Sequence, residues 1–97
     1  MMRNIFLGFI RIHILHHASE GAIFGVEMMD ELRRHGYIIS SGTLYPILHS
    51  LAEDGYLTRR DEVVSGKVRK YYKITEKGID ALKDAKKKIQ ELTEEVM

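Results

Sequence analysis

The chain has 97 residues, a formal net charge of +1 and no cysteine. That length suits one domain whose modest core gains from a partner subunit, and the missing cysteines exclude disulfides and thiolate metal sites. No apolar run reaches the length of a membrane span, Arg3 and Arg11 interrupt the apolar N-terminal residues, and no small-residue cleavage site follows them, so a cytoplasmic protein is expected.

The first element is expected as a helix over residues 4–17. Ile5, Phe6, Leu7, Phe9, Ile10, Ile12, Ile14 and Leu15 cover nearly its whole circumference. A helix apolar all round needs burial on two sides, one against its own core and one against a partner. The β-branched residues near 10–15 also fit a strand, but the segment is long for one. Gly21 and Gly25 in "SEGAIFG" mark a turn. A second helix follows over residues 25–35, with Val26, Met29 and Leu32 as its inner stripe and Gly36 placed to end it. Arg33, Arg34 and His35 in its last turn suit the negative end of the helix dipole.

A third helix is expected over residues 41–54, with Leu44, Ile47, Leu48 and Leu51 facing inward and Gly55 closing it. Ser40 or Ser41 caps its start, and backbone N–H groups are left over in the first turn. Pro46 fits two arrangements. Inside the helix it removes one hydrogen bond and loosens the first turn; as the first helical residue it is favourable.

"YLTRR" and "VRKYYKI" read as two strands of a hairpin with a Ser-Gly turn between them. Across residues 59–73, six basic groups (Arg59, Arg60, Lys67, Arg69, Lys70, Lys73) stand against Asp61 and Glu62 alone, a local excess that suits an anionic partner. Thr75 is an N-cap for a last helix running to about residue 95. Leu82, Ala85, Ile89, Leu92 and Val96 form a short heptad stripe along it. A helix of that length, about 30 Å, outruns so small a core, so its far end is expected to meet another chain.

Three helices, a hairpin and a long helix make a mostly α protein with a β-hairpin wing: a winged helix-turn-helix over residues 1–75 and a C-terminal dimerisation helix over 76–97. In that fold the third helix enters the major groove by its N-terminal half and the hairpin lies along the backbone. Short hydroxyl side chains at the helix start allow close approach to phosphates and base edges, and free N–H groups there can hold a phosphate. Ser40, Ser41, Thr43, Pro46, His49 and Ser50 point outward, opposite the Leu stripe, with Tyr45 on the flank.

"SGTLYPILHSLAEDGYL" and "GKVRKYYKITEKG" resemble the PadR family of transcriptional regulators, and "FGVEMMDEL" is similar to that family's second helix. The resemblance covers residues 5–82, with the rest matching only as a helix. It implies a homodimeric winged-helix repressor that binds double-stranded DNA at an inverted repeat, with no cofactor. Ser41, Thr43 and Tyr45 match recognition-helix contacts; Lys67 matches the basic wing tip, Arg69 and Lys70 the basic pair on the second wing strand. With Ser40 and His49 these make up the expected DNA-binding set. The first and last helices are implied to build the dimer, through Phe6, Phe9, Ile10, Leu82, Ala85, Ile89, Leu92 and Val96. Drug-responsive relatives sandwich planar ligands with a Trp on the last helix; this chain has none, and a small-molecule effector pocket would be lined instead by Phe6, Phe9 and Met residues.

His13, His16 and His17 lie at i, i+3 and i+4. That spacing presents His13 and His17 together, but only Glu20 stands near them in sequence, so no metal site is expected. No phosphate-loop glycine pattern and no nucleophile with a His and acid partner is present, which excludes the usual enzyme classes. The competing reading is a winged-helix protein-interaction module whose wing contacts another protein rather than DNA.

Overall fold

The computed structural model describes residues 2–97. Its elements are α1 (Met2–Glu20), β1 (Ile23–Phe24), α2 (Gly25–Arg34), α3 (Ser41–Glu53), β2 (Leu57–Val64), β3 (Lys67–Ile74) and α4 (Glu76–Val96). The winged helix-turn-helix expected from the element order is the fold observed. Among the described residues no helix is long and apolar enough to cross a membrane.

The core is one cluster fed by every long helix. Ile10, Ile14, Leu15 and Ala18 of α1 meet Met28 and Leu32 of α2, the Leu44–Ile47–Leu48–Leu51 stripe of α3, Leu57, Tyr72 and Leu82. The α3 stripe is the expected one. On α2 the inward pair is Met28 and Leu32, one turn apart, whereas Val26 is exposed and Met29 half-buried. The expected stripe was therefore displaced around the helix.

The sheet has the order β1–β3–β2, all antiparallel. β1 was read as part of a turn; its two residues pair with Tyr72 and Tyr71 of β3 and pin the start of α2 to the wing. The hairpin turn is Ser65–Gly66, both with positive φ (52° and 78°), as a two-residue turn between twisted strands requires.

The junction into α4 explains "TEKG". The Thr75 hydroxyl accepts from the Gly78 N–H at 3.1 Å and donates to the Gly55 carbonyl. Lys77 reaches the Asp54 carbonyl at 2.7 Å and lies over the Tyr56 ring. Gly78 is buried so closely that a Cβ would collide with the Tyr56 carbonyl and stand 2.6 Å from Ile74 Cγ1. The first turns of α4 thus belong to the core, while the part beyond Ala85 is exposed. That projection gives the molecule its 51 × 28 × 20 Å shape.

Two residues expected at a dimer contact are instead core. Ile10 is 1% exposed and Leu82 5%. Each sits on the side of its helix that faces the chain's own interior, so no surface is left for a partner.

Candidate nucleic-acid interface

Helix α3 begins at Ser41 with Ser40 as its N-cap residue in extended conformation. The Ser40 side chain caps no backbone N–H; its Oγ lies 3.3 Å from Thr43 Oγ1. The amides of Thr43 and Leu44 both bond to the Ser40 carbonyl. Helix geometry leaves the Ser41 and Gly42 amides without an intrahelical acceptor, and both residues are exposed. Pro46 lies inside the helix. It therefore removes the bond to the Gly42 carbonyl and leaves the first turn of α3 less tightly tied to the second.

Ser40, Ser41, Tyr45, Pro46, His49 and Ser50 are exposed and Thr43 is half-buried, so the face opposite the Leu stripe is open as expected. His49 stands 3.3 Å from Glu53, one turn on. The Tyr45 ring covers Gly25, the first residue of α2, which is buried beneath it. Gly25 was read only as turn punctuation; its role as the floor under Tyr45 comes from tertiary contact.

The wing sorts its charges. Arg59 holds Asp61 through two hydrogen bonds of 2.9 and 3.0 Å, and Arg60 pairs with Glu62 at 3.0 Å. The Arg59 bond holds the Asp61 carboxyl below, and the Arg59 guanidinium above, their usual ranges. Among the described residues, Lys67, Arg69, Lys70 and Lys73 form no ion pair. The two cations of β2 are thus answered locally by Asp61 and Glu62, and the whole basic excess is carried by β3.

Arg69 and Lys70 point to opposite faces, as a strand requires. Arg69 shares the face of Tyr71 and lies 4.3 Å over the Phe24 ring, which itself meets Tyr71 edge-on. Lys70 shares the face of Tyr72, whose ring is buried and whose hydroxyl is pushed up in pKa by that burial. A cleft of about 530 Å³ runs between the start of α2, Tyr45 and the wing, and Lys67, Arg69 and Lys70 line it. The structure thus brings Tyr45 together with the three wing cations. Ser40, Ser41, Thr43 and His49 are not among the cleft's lining residues; Ser40 stands at the N-cap, Ser41 and His49 on the exposed face of α3, and Thr43 half-buried beside them.

A second groove, of about 670 Å³, lies between α1 and the turn before α3. Phe6, Leu7, Ile10, Tyr37, Ile38 and Thr43 are among its lining residues. Phe6 lines it; Phe9 and the methionines do not.

Comparison with known proteins agrees with this architecture. The family model described as "Transcriptional regulator PadR-like family" matches residues 14–84. The chain is 43% identical over 96 residues to the transcriptional regulator Rv3488 of Mycobacterium tuberculosis, covering 99% of this chain and 90% of that protein. A PadR-like transcription factor from Bacteroides fragilis superposes with a TM-score of 0.86 at 28% identity, covering 98% of this chain and 93% of that one. Bacillus subtilis PadR in complex with operator DNA shares the fold at 22% identity and a TM-score of 0.72, over 78% of this chain and 45% of its own. The chain belongs to the PadR-like family of transcriptional regulators.

Proposed function

We propose that this regulator is a homodimeric repressor that reads a double-stranded DNA inverted repeat, inserting the amino end of α3 into the major groove and laying the wing along the backbone. The observation that carries this is the start of α3: exposed hydroxyls at Ser40 and Ser41, a neighbouring Thr43, and two amides with no intrahelical acceptor. Such a helix start can hold a phosphate or approach a base edge. The free wing cations Lys67, Arg69 and Lys70 supply the electrostatic part of the affinity. His49, one turn further along the same open face, extends the contact. That a PadR structure is a complex with operator DNA supports the reading.

The dimer is supported by unpartnered apolar surface. Phe6 and Phe9 on α1 and Ile89, Leu92 and Val96 on α4 are all exposed, and Ala85 is half-buried. A second copy packing α1 and α4 against these residues would cover them and fix the spacing of two reading heads at about one DNA turn, roughly 34 Å. A small apolar effector would reach α3 through the groove that touches Thr43.

Selection of bound duplexes from a random library, at about 0.15 M salt, tests the function. An enriched inverted repeat is the expected result. A folded protein that enriches no sequence would overturn sequence-specific reading. On the selected site, Thr43→Ala should weaken binding more than on random DNA, and equal losses on both would remove Thr43 as a base reader.

A further inference from the structure

Two helices bring metal-ligating side chains together outside the cleft between Tyr45 and the wing. His13 and His17 are one turn apart on α1. Glu31 and His35 are one turn apart at the end of α2, with His35 as its C-cap residue. Ligating atoms of His13, His17 and His35 all lie within 4.8 Å of one another. The Glu31 carboxylate stands 3.8 Å from His17 Nε2. We propose that His13, His17 and His35, completed by Glu31, form a site for one divalent transition-metal ion of the zinc class, tying α1 to the end of α2.

Packing alone accounts for part of the cluster. The His13 ring stacks on His35 at 4.6 Å and meets Tyr37 edge-on. It does not account for His17. Its Nε2 is buried and has no hydrogen-bond partner, a costly state for a polar atom. The other nitrogen, Nδ1, faces Glu20 at 3.6 Å. On that side Glu20 is near enough to become, after a small shift, the outer carboxylate that orients a ligating imidazole. Glu31 is likewise divided: Oε1 takes Arg34, and Oε2 faces His17.

The distances suit closure around an ion. Tetrahedral bonds of about 2.0–2.1 Å to nitrogen set neighbouring ligand atoms about 3.4 Å apart. His35 is exposed at a helix end and has the freedom to make that adjustment. Burial, and then the neighbouring His35, His17 and His16, push the His13 imidazole below the ordinary histidine pKa. Three imidazoles and a carboxylate select zinc, nickel, cobalt or copper(II) over magnesium or calcium, and no thiolate is present to favour copper(I).

The position gives the ion a consequence. His35 directly precedes Gly36 and the turn that leads to Ser40. A bound ion would clamp that turn to α1, so occupancy would be felt at the start of α3. This consequence, unlike the site itself, rests on the proposed DNA-reading function.

The test is calorimetric titration of zinc into the full chain, purified without a histidine tag and stripped with chelator. The expected result is one ion per chain. His35→Ala and His17→Ala should bind at least about tenfold more weakly, while His16→Ala and His49→Ala bind as the parent does. His35 is exposed, so its variant keeps the fold, checked by circular dichroism. No binding by the folded parent, or undiminished binding by His35→Ala, would overturn the site. Operator affinity measured with and without zinc is read separately. If zinc binds as described but no operator exists, the metal site stands and the DNA reading falls.

Discussion

The phenol ring of Tyr45 lies directly over Gly25, where a Cβ would stand 2.5 Å from the ring's Cζ. The contact joins the start of α2 to the flank of α3 and forms one wall of the cleft that faces the wing. Oη, Cζ and Cε1 all crowd that position, so the whole ring would have to shift to admit a methyl group. Gly25→Ala is therefore expected to lose about 1–3 kcal/mol of stability by overpacking, read as a lower denaturant midpoint. Tyr45→Leu in the same chain should recover part of the loss. A Gly25→Ala protein as stable as the parent would show that the ring is free to move.

How much of this was legible in the sequence differs by element. The α3 stripe was, because four aliphatic residues at helical spacing fix one face. The α2 stripe was misread: Val26 and Met29 share threefold spacing with Leu32, but the core takes Met28, the residue one full turn before Leu32. β1 is two residues long, too short for an alternation pattern, and exists only because Tyr71 and Tyr72 offer it a ladder. Ile10 and Leu82 show a general limit. An apolar residue on a helix with two buried sides carries no mark of which side is its own core. His35 had a complete local explanation in the helix dipole, and its stacking on His13 comes from a residue more than twenty positions away.

Gly78 gives a prediction whose sign separates propensity from packing. Alanine in a helix interior is worth about 1 kcal/mol over glycine. Here the new methyl meets the Tyr56 carbonyl, a backbone atom that also accepts from the Thr75 N–H at 3.1 Å. Gly78→Ala is expected to lower the melting temperature, and a rise would mean that the junction between β2 and α4 is looser than described.

The two ends of α4 should respond differently to substitution. Leu82 is buried in the chain's own core, so Leu82→Ala should cost about 2–5 kcal/mol of stability. Leu92 is 59% exposed and lies in the projecting part of α4 beyond Ala85. Leu92→Glu should leave the secondary structure intact by circular dichroism while shifting sedimentation from dimer to monomer. A Leu92→Glu protein that remains dimeric would remove the far half of α4 from the interface.

The wing predicts a difference between two cations that sequence alone treats as equal. Arg59 is held by Asp61 through two hydrogen bonds, whereas Lys67 beside the turn has no ionic partner among the described residues. A cation released to meet a phosphate displaces condensed counterions from DNA; one already neutralised does not. Lys67→Ala should therefore weaken operator and random DNA alike and lower the slope of log affinity against log salt by about 1. Arg59→Ala should leave that slope unchanged, with a small loss of affinity from the unmasked Asp61 carboxylate. Binding measured over a salt series decides between them. An equal fall in slope for both variants would mean that Arg59 leaves Asp61 for the DNA, and that the free cations of β3 are not the only ones the wing offers.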